Sequence, residues 1–285
     1  MTSRHVLVAG ASAGIGAALV RALAADGETV YACARRVDAL ARVTEDGRLA
    51  HFHGCDVSDE RAVSDLYEWM GKLTDRLDAL IVCVGAFGAI GPAVETDSEA
   101  WWATLRANVF GPYLLVKHAM PLLRRGIGPR IVTFSGGGAF GTFPRYSAYA
   151  TSKAALVRLT ECLADELAAE GIAVNAVAPG MVATEIHAAT LAIGPELAGS
   201  AHYERTQAML RGGGVPMEVP LGCVRFLLSS AADGLTGKTI SANFDPWAKE
   251  AFRAHLAEIA ASDVYTMRRL NPVNLADGPL KDLLS

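Results

Sequence analysis

Tyr149 and Lys153 stand four residues apart in Tyr149-Ala150-Thr151-Ser152-Lys153, at the head of a helix-like run that continues through Leu167. On a helix that spacing places both on one face, roughly 6 Å apart along the axis, so they can serve one site. A free tyrosine ionises near pH 10. To exchange a proton near neutrality it must be brought down at a cost of roughly 4 kcal/mol, and a neighbouring ammonium supplies part of that. A tyrosine and a lysine at this spacing also occur on ordinary surface helices, so the pair needs support from other positions.

Gly10-Ala11-Ser12-Ala13-Gly14-Ile15-Gly16 provides it. The apolar run Val6 to Ala9 reads as a buried strand and Ile15 to Ala25 as an alanine-rich helix. A glycine turn between a strand and a helix lets backbone N–H groups approach a pyrophosphate at the positive end of the helix. The spacing is G-x-x-x-G-x-G, not the common G-x-G-x-x-G, so a purely structural turn remains the alternative. A second strand, Thr29 to Ala34, ends about 20 residues further on, where an acidic side chain would hold the ribose 2′-hydroxyl of NAD. Arg35 and Arg36 stand there instead. With no carboxylate to repel it, and a guanidinium to bind it bidentately, a 2′-phosphate is the expected ligand, and NADP the expected cofactor. The alternative is that two arginines open a solvated helix.

The elements that must position these groups alternate along the chain. A third strand, Leu49 to Cys55, runs into Asp56-Val57; a helix from Glu60 to Leu73 leads to a fourth strand, Leu80 to Val84, and Gly85. A long helix from about Asp97 to Leu123 contains Asn108 in an otherwise apolar stretch, where an amide needs a backbone partner or a site. The fifth strand, Arg130 to Phe134, ends in Ser135-Gly136-Gly137-Gly138; the sixth, Ile172 to Ala178, ends in Pro179-Gly180. A helix from Val219 to Ser229 and a strand near Thr239 to Asn243 close the domain. This is the pattern of an α/β fold, a doubly wound parallel sheet of about seven strands with helices on both faces, which binds ligands at the carboxyl ends of its strands. The glycine loop, Asp56, Gly85, Ser135 and Pro179-Gly180 all fall on that edge.

Composition narrows the classes further. Of 285 residues 51% are hydrophobic and 20% charged, which suits a large core, and the net charge of −4 makes nucleic acid an unexpected partner. The five cysteines are scattered through apolar runs, as in a reduced cytoplasmic protein. No run suggests a membrane span, and His51 and His53 have no third ligand at a metal-site spacing, so no metal is expected.

Taken together, Gly10-x-x-x-Gly14-Ile15-Gly16, Asp56-Val57, Asn108-Val109-x-Gly111, Tyr149-x-x-x-Lys153 and Pro179-Gly180-Met181-Val182-x-Thr184 resemble the short-chain dehydrogenase/reductase family over about residues 4 to 243. The resemblance implies a Rossmann domain in which Ser12, Ala13 and the glycines cradle the cofactor. It implies that Asp56 contacts the adenine and that Val182 and Thr184 lie by the nicotinamide amide. By the same resemblance Tyr149 is the general acid/base, Lys153 holds the nicotinamide ribose and lowers the tyrosine pKa, and Asn108 orders a water in the proton relay. Association into dimers or tetramers through the helices of Trp101 and Tyr149 is also implied.

Three positions depart from the family pattern. Ala9 replaces a threonine, and Val82-Cys83-Val84-Gly85 replaces Asn-Asn-Ala-Gly, so hydrogen bonds there must be replaced or absent. Gly136 stands where the catalytic serine belongs; Ser135 is taken as its substitute, with Ser147 the next nearest. Residues 185–218, which include His187, His202, Tyr203, Glu204, Arg205, Gln207 and Arg211, read as a segment covering the substrate, hinged at Gly212-Gly213-Gly214. Their polarity suggests a hydroxylated or anionic, sugar-like substrate, with a solvated helix face as the alternative. The domain is expected to span 1–244, and 245–285 to form an extension packed on its own domain or a neighbouring subunit. The function expected is NADP(H)-dependent interconversion of a secondary alcohol and a ketone on a polar small molecule. A redox-neutral epimerase and a non-catalytic NADP-binding sensor are the alternatives.

Overall fold

The computed structural model describes residues 3–269 apart from 46. Seven strands form one sheet: β1 (His5–Ala9), β2 (Thr29–Ala34), β3 (His51–Gly54), β4 (Ala79–Val82), β5 (Arg130–Phe134), β6 (Ala173–Ala178) and β7 (Thr239–Ser241). Their order is β3-β2-β1-β4-β5-β6-β7, every pairing parallel. A parallel sheet is covered on both faces, so its central strands β1, β4 and β5 are largely apolar and buried. In β1, Val6 and Val8 enter one core with Leu19, Val20 and Leu23 of helix α1 (Gly14–Ala25) and Val224 and Leu227 of α9 (Glu218–Leu228). Leu7 and Ala9 face the other way, onto Leu66 of α3 (Glu60–Gly71) and Leu114 of α5 (Gly111–Leu123). The doubly wound expectation is met, with β3 and β4 shorter than their apolar runs suggested.

The strand order reverses between β1 and β4, the topological switch point where such sheets open a crevice. The residues after these two strands therefore face each other across that crevice. Between β2 and β3 lies α2 (Val37–Thr44), so Arg36 stands at a helix N-terminus. The long helix around Asn108 is divided: α4 (Ser98–Leu105), capped by Asp97 Oδ1 accepting from the Ala100 N–H, passes through a π-helical turn, Arg106–Phe110, into α5. The wider turn turns Asn108 inward and buries it completely.

Helix α6 (Ser147–Leu167) carries Tyr149 and Lys153 on its buried face. The covering segment forms two short helices, α7 (Ala188–Ala198) and α8 (Ser200–Ala208). Gly194, at φ 82°, breaks α7 before Pro195; Gly199, at φ 82°, separates the two helices, and Gly212, at φ 113°, ends the following turn. Beyond β7, Trp247 donates from Nε1 to the Ala242 carbonyl and lies over Gly222, where an added side-chain carbon would be 3.0 Å from the indole. The Tyr265 carbonyl accepts from the Thr239 N–H on edge strand β7, and Met267 N–H donates to Glu161 of α6. Residues 270–285 of the expected extension lie outside the described residues.

Candidate active site

The glycine loop packs so closely that two of its positions exclude a side chain. A carbon at Gly10 (φ 82°) would lie 2.9 Å from the Cys83 carbonyl carbon and the Val84 nitrogen; one at Gly16 would lie 2.3 Å from the Gly10 oxygen. The first contact brings the loop after β1 against the loop after β4, and the second seats α1 on its own turn. Ala13 gives α1 no side-chain cap, so the first-turn N–H groups face the crevice mouth without a side-chain acceptor. At Gly14 the nearest neighbour is the Thr184 side chain, 3.2 Å from where a Cβ would stand. The expected loop residues Gly10 to Gly16 and the segment Pro179, Gly180, Val182 and Thr184 thus meet. Gly180 itself takes φ 78° beside Val215.

At the far end of this crevice Arg36 donates to Glu185 Oε2 at 2.7 Å and to Ser12 Oγ at 3.4 Å. Asp56 accepts from the Ser58 N–H and hydroxyl at 3.0 and 2.8 Å. Burial raises its pKa, but these hydrogen bonds and the charges of Arg35 and Arg106 outweigh that and hold it below the usual carboxylate value. Arg35 and Arg36 follow β2 directly, Arg36 paired with Glu185, and Gly10 and Gly16 leave the loop backbone bare of side chains. These residues suit a nicotinamide dinucleotide, whose diphosphate the glycine loop and α1 would hold.

Asn108 takes both backbone groups of Ala86: its Oδ1 accepts from the Ala86 N–H at 3.0 Å and its Nδ2 donates to the Ala86 carbonyl at 2.9 Å. Nδ2 also donates to Ser152 Oγ at 2.9 Å. This clamp fixes the backbone one residue beyond Val82-Cys83-Val84-Gly85. Lys153 is buried and donates to the Phe134 carbonyl at 2.8 Å. A side-chain carbon at Gly85 would lie 3.2 Å from its ammonium, so glycine there leaves room for it. Burial lowers Lys153 to about 8.

Tyr149 lies beside it, its ring centroid 5.6 Å from Lys153 Nζ. The expected depression of the tyrosine is not met in this structure: burial pushes its phenol up to about 12. The hydroxyl occupies the space above Gly136, where an added carbon would be 2.2 Å away. Ser135 Oγ is buried without a hydrogen-bond partner among the described residues. Ser147, the other substitute considered, accepts from Trp101 Nε1 at 3.1 Å.

The covering segment divides by side-chain type. Glu204, Arg205 and Arg211 are exposed, so the polar substrate inferred from them loses that support. Turned inward are Ile186, His187 and Tyr203, against Phe87, Phe143, Tyr146 and Tyr149. The Phe87 ring meets Tyr149 edge-on at 4.8 Å, Tyr146 at 5.1 Å and His187 at 5.7 Å. Phe143 stacks on Tyr146 at 4.3 Å, and His202 meets both edge-on. Sequence reasoning missed Phe87, Phe143 and Tyr146, which sit in loops with no periodicity to mark them. A cleft of about 290 Å³ lined in part by Ile90, Glu95, Asp97 and Leu197 opens beside this cluster.

Residues 4–192 match the family model described as short chain dehydrogenase. Among curated proteins, the short chain dehydrogenase mpl6 of Monascus purpureus is 36% identical over 193 residues, which are 64% of this chain and 66% of that protein's length. L-fucose dehydrogenase of Oryctolagus cuniculus is 31% identical, with 81% of each chain covered. Among solved structures, the RhlG/NADP active-site complex of Pseudomonas aeruginosa superposes with a TM-score of 0.71 at 28% identity, covering 85% of this chain and 95% of that one. Among the described residues, no helix is long and apolar enough to cross a membrane.

Proposed function

The chain belongs to the short-chain dehydrogenase/reductase family, and on that premise we propose that it is an NADP(H)-dependent oxidoreductase interconverting a ketone and a secondary alcohol. The observation that carries the reading is the buried pair of Tyr149 and Lys153 on one face of α6, at the same sheet edge as the glycine cradle. Bound NADPH supplies the hydride in the reducing direction. Tyr149, kept protonated by burial, gives the proton to the carbonyl oxygen. An ammonium has three donors, of which Phe134 takes one; Lys153 offers the others to the nicotinamide ribose. Ser135 Oγ is the unpaired hydroxyl that orients the substrate oxygen in place of a serine at 136. Asn108 positions the loop after β4 through Ala86 and, with Ser152, connects it to α6.

Arg35 and Arg36 favour NADP over NAD, a choice supported by the likeness to the RhlG/NADP complex. Trp102, Phe110 and Tyr113 are exposed along the α4–α5 run and support association of copies of the chain through that surface. The test is NADPH consumption against a panel of cyclic ketones and keto-sugars, with NADH and Tyr149→Phe alongside. Turnover that needs Tyr149 and prefers NADPH is expected. Equal turnover in the variant would refute the proton-donor role.

A further inference from the structure

The cluster around Tyr149 has two walls. On the domain side stand Phe87, from the loop after β4, and Phe143 and Tyr146, from the loop before α6; on the covering side stand Ile186, His187 and His202. The glycine kinks at Gly194, Gly199 and Gly212 allow the covering side to separate from the domain side. A molecule entering between the walls exchanges ring–ring contacts for ring–ligand contacts, and a flat aromatic body does so with the least loss.

Few polar atoms in the cluster are free to receive it. The Tyr146 hydroxyl is engaged with Thr190 Oγ1 at 2.8 Å, and His202 Nε2 faces Thr206 Oγ1 at 3.5 Å. His187 Nδ1 is buried with no hydrogen-bond partner among the described residues. Burial favours the neutral imidazole, which has one donor and one acceptor nitrogen to offer a ligand. The charged residues of the covering segment are exposed, so none of them balances an ionic substrate inside the cluster. A sugar would carry several hydroxyls into a space with few partners for them.

We propose that this site takes a flat, uncharged hydroxyaryl carbonyl compound, its rings between the Phe87–Phe143–Tyr146 wall and the covering helices, and its hydroxyl hydrogen-bonded to His187 Nδ1. The proposal rests on the oxidoreductase reading for the carbonyl group, but ring recognition can be measured without turnover. The experiment is calorimetric titration of the full chain, with and without NADP, using 2-naphthol, naphthalene, decahydro-2-naphthol and L-fucose as probes. The expected result is 2-naphthol binding at least tenfold more tightly than its saturated counterpart, with L-fucose weaker than either. Phe87→Leu should collapse the aromatic preference, with Phe143→Leu as a second variant. His187→Phe should weaken 2-naphthol about tenfold and leave naphthalene unchanged. Equal binding of the saturated alcohol, tighter binding of L-fucose, or an unchanged preference in both wall variants would overturn the proposal. Absence of NADPH consumption with any ketone, beside a retained aromatic preference, would instead count against the oxidoreductase reading alone.

Discussion

A side-chain carbon at Gly136 would stand 2.2 Å from the Tyr149 hydroxyl. The phenol therefore occupies the volume that a residue at 136 would need, and Gly136→Ala must move it. Displacing a reacting group by about 1 Å costs on the order of 100-fold in rate. We expect kcat for ketone reduction to fall by about that factor with little change in thermal stability. A variant with unchanged kcat would mean that the hydroxyl works from another position.

Asn108 closes a three-bond clamp on Ala86 and Ser152 in a fully buried position. Asn108→Ala leaves both Ala86 backbone groups without these partners, and each such loss costs about 1–3 kcal/mol. Urea unfolding should show a loss of about 3 kcal/mol, together with weaker NADPH binding because the loop faces the glycine cradle. A loss below about 0.5 kcal/mol would contradict the clamp.

Lys153 gives a pH signature. Burial lowers it to about 8 in the folded chain from an ordinary value of 10.5. Between those values the unfolded chain binds the additional proton, so stability attributable to Lys153 rises with pH across that window. Tyr149 acts higher: its folded value of about 12 against an ordinary 10 makes stability fall above pH 10. The unfolding free energy of the wild type minus that of Lys153→Met should increase from pH 8 to 10. A flat difference would show that the ammonium is not desolvated.

Arg36 is held by Glu185, but both side chains are exposed, and such pairs contribute about 0–1 kcal/mol. Glu185→Gln should therefore tighten NADP binding by up to about fivefold, while Arg36→Ala should weaken NADP more than NAD. Fluorescence titration with both cofactors measures this. An equal effect of Arg36→Ala on the two would refute the 2′-phosphate assignment.

Much of this arrangement was legible because it rests on local patterns. Buried parallel strands are apolar runs, which is why β1, β2 and β5 are plain in Val6–Ala9, Thr29–Ala34 and Arg130–Phe134. Tight turns require glycine, and Gly10 and Gly16 show the contact that demands it. The π-helical turn at Asn108 was not legible, because widening one turn leaves the apolar spacing of a long helix nearly intact. The covering helices were too short, and too often broken by Gly194, Pro195 and Gly199, to stand out. Their charged residues drew attention to a polar site, whereas the inward faces depend on rings brought together from residues 87, 143 and 146 by the fold alone.

The central claim, that Tyr149 is the proton donor of a hydride-transfer site, is tested most directly by comparing wild type with Tyr149→Phe in NADPH-dependent ketone reduction, with NADPH affinity measured on both. Loss of the hydroxyl should lower kcat by about 100- to 10,000-fold while the cofactor dissociation constant stays the same. A variant that binds NADPH as the wild type does and reduces ketone at the same rate would contradict the account.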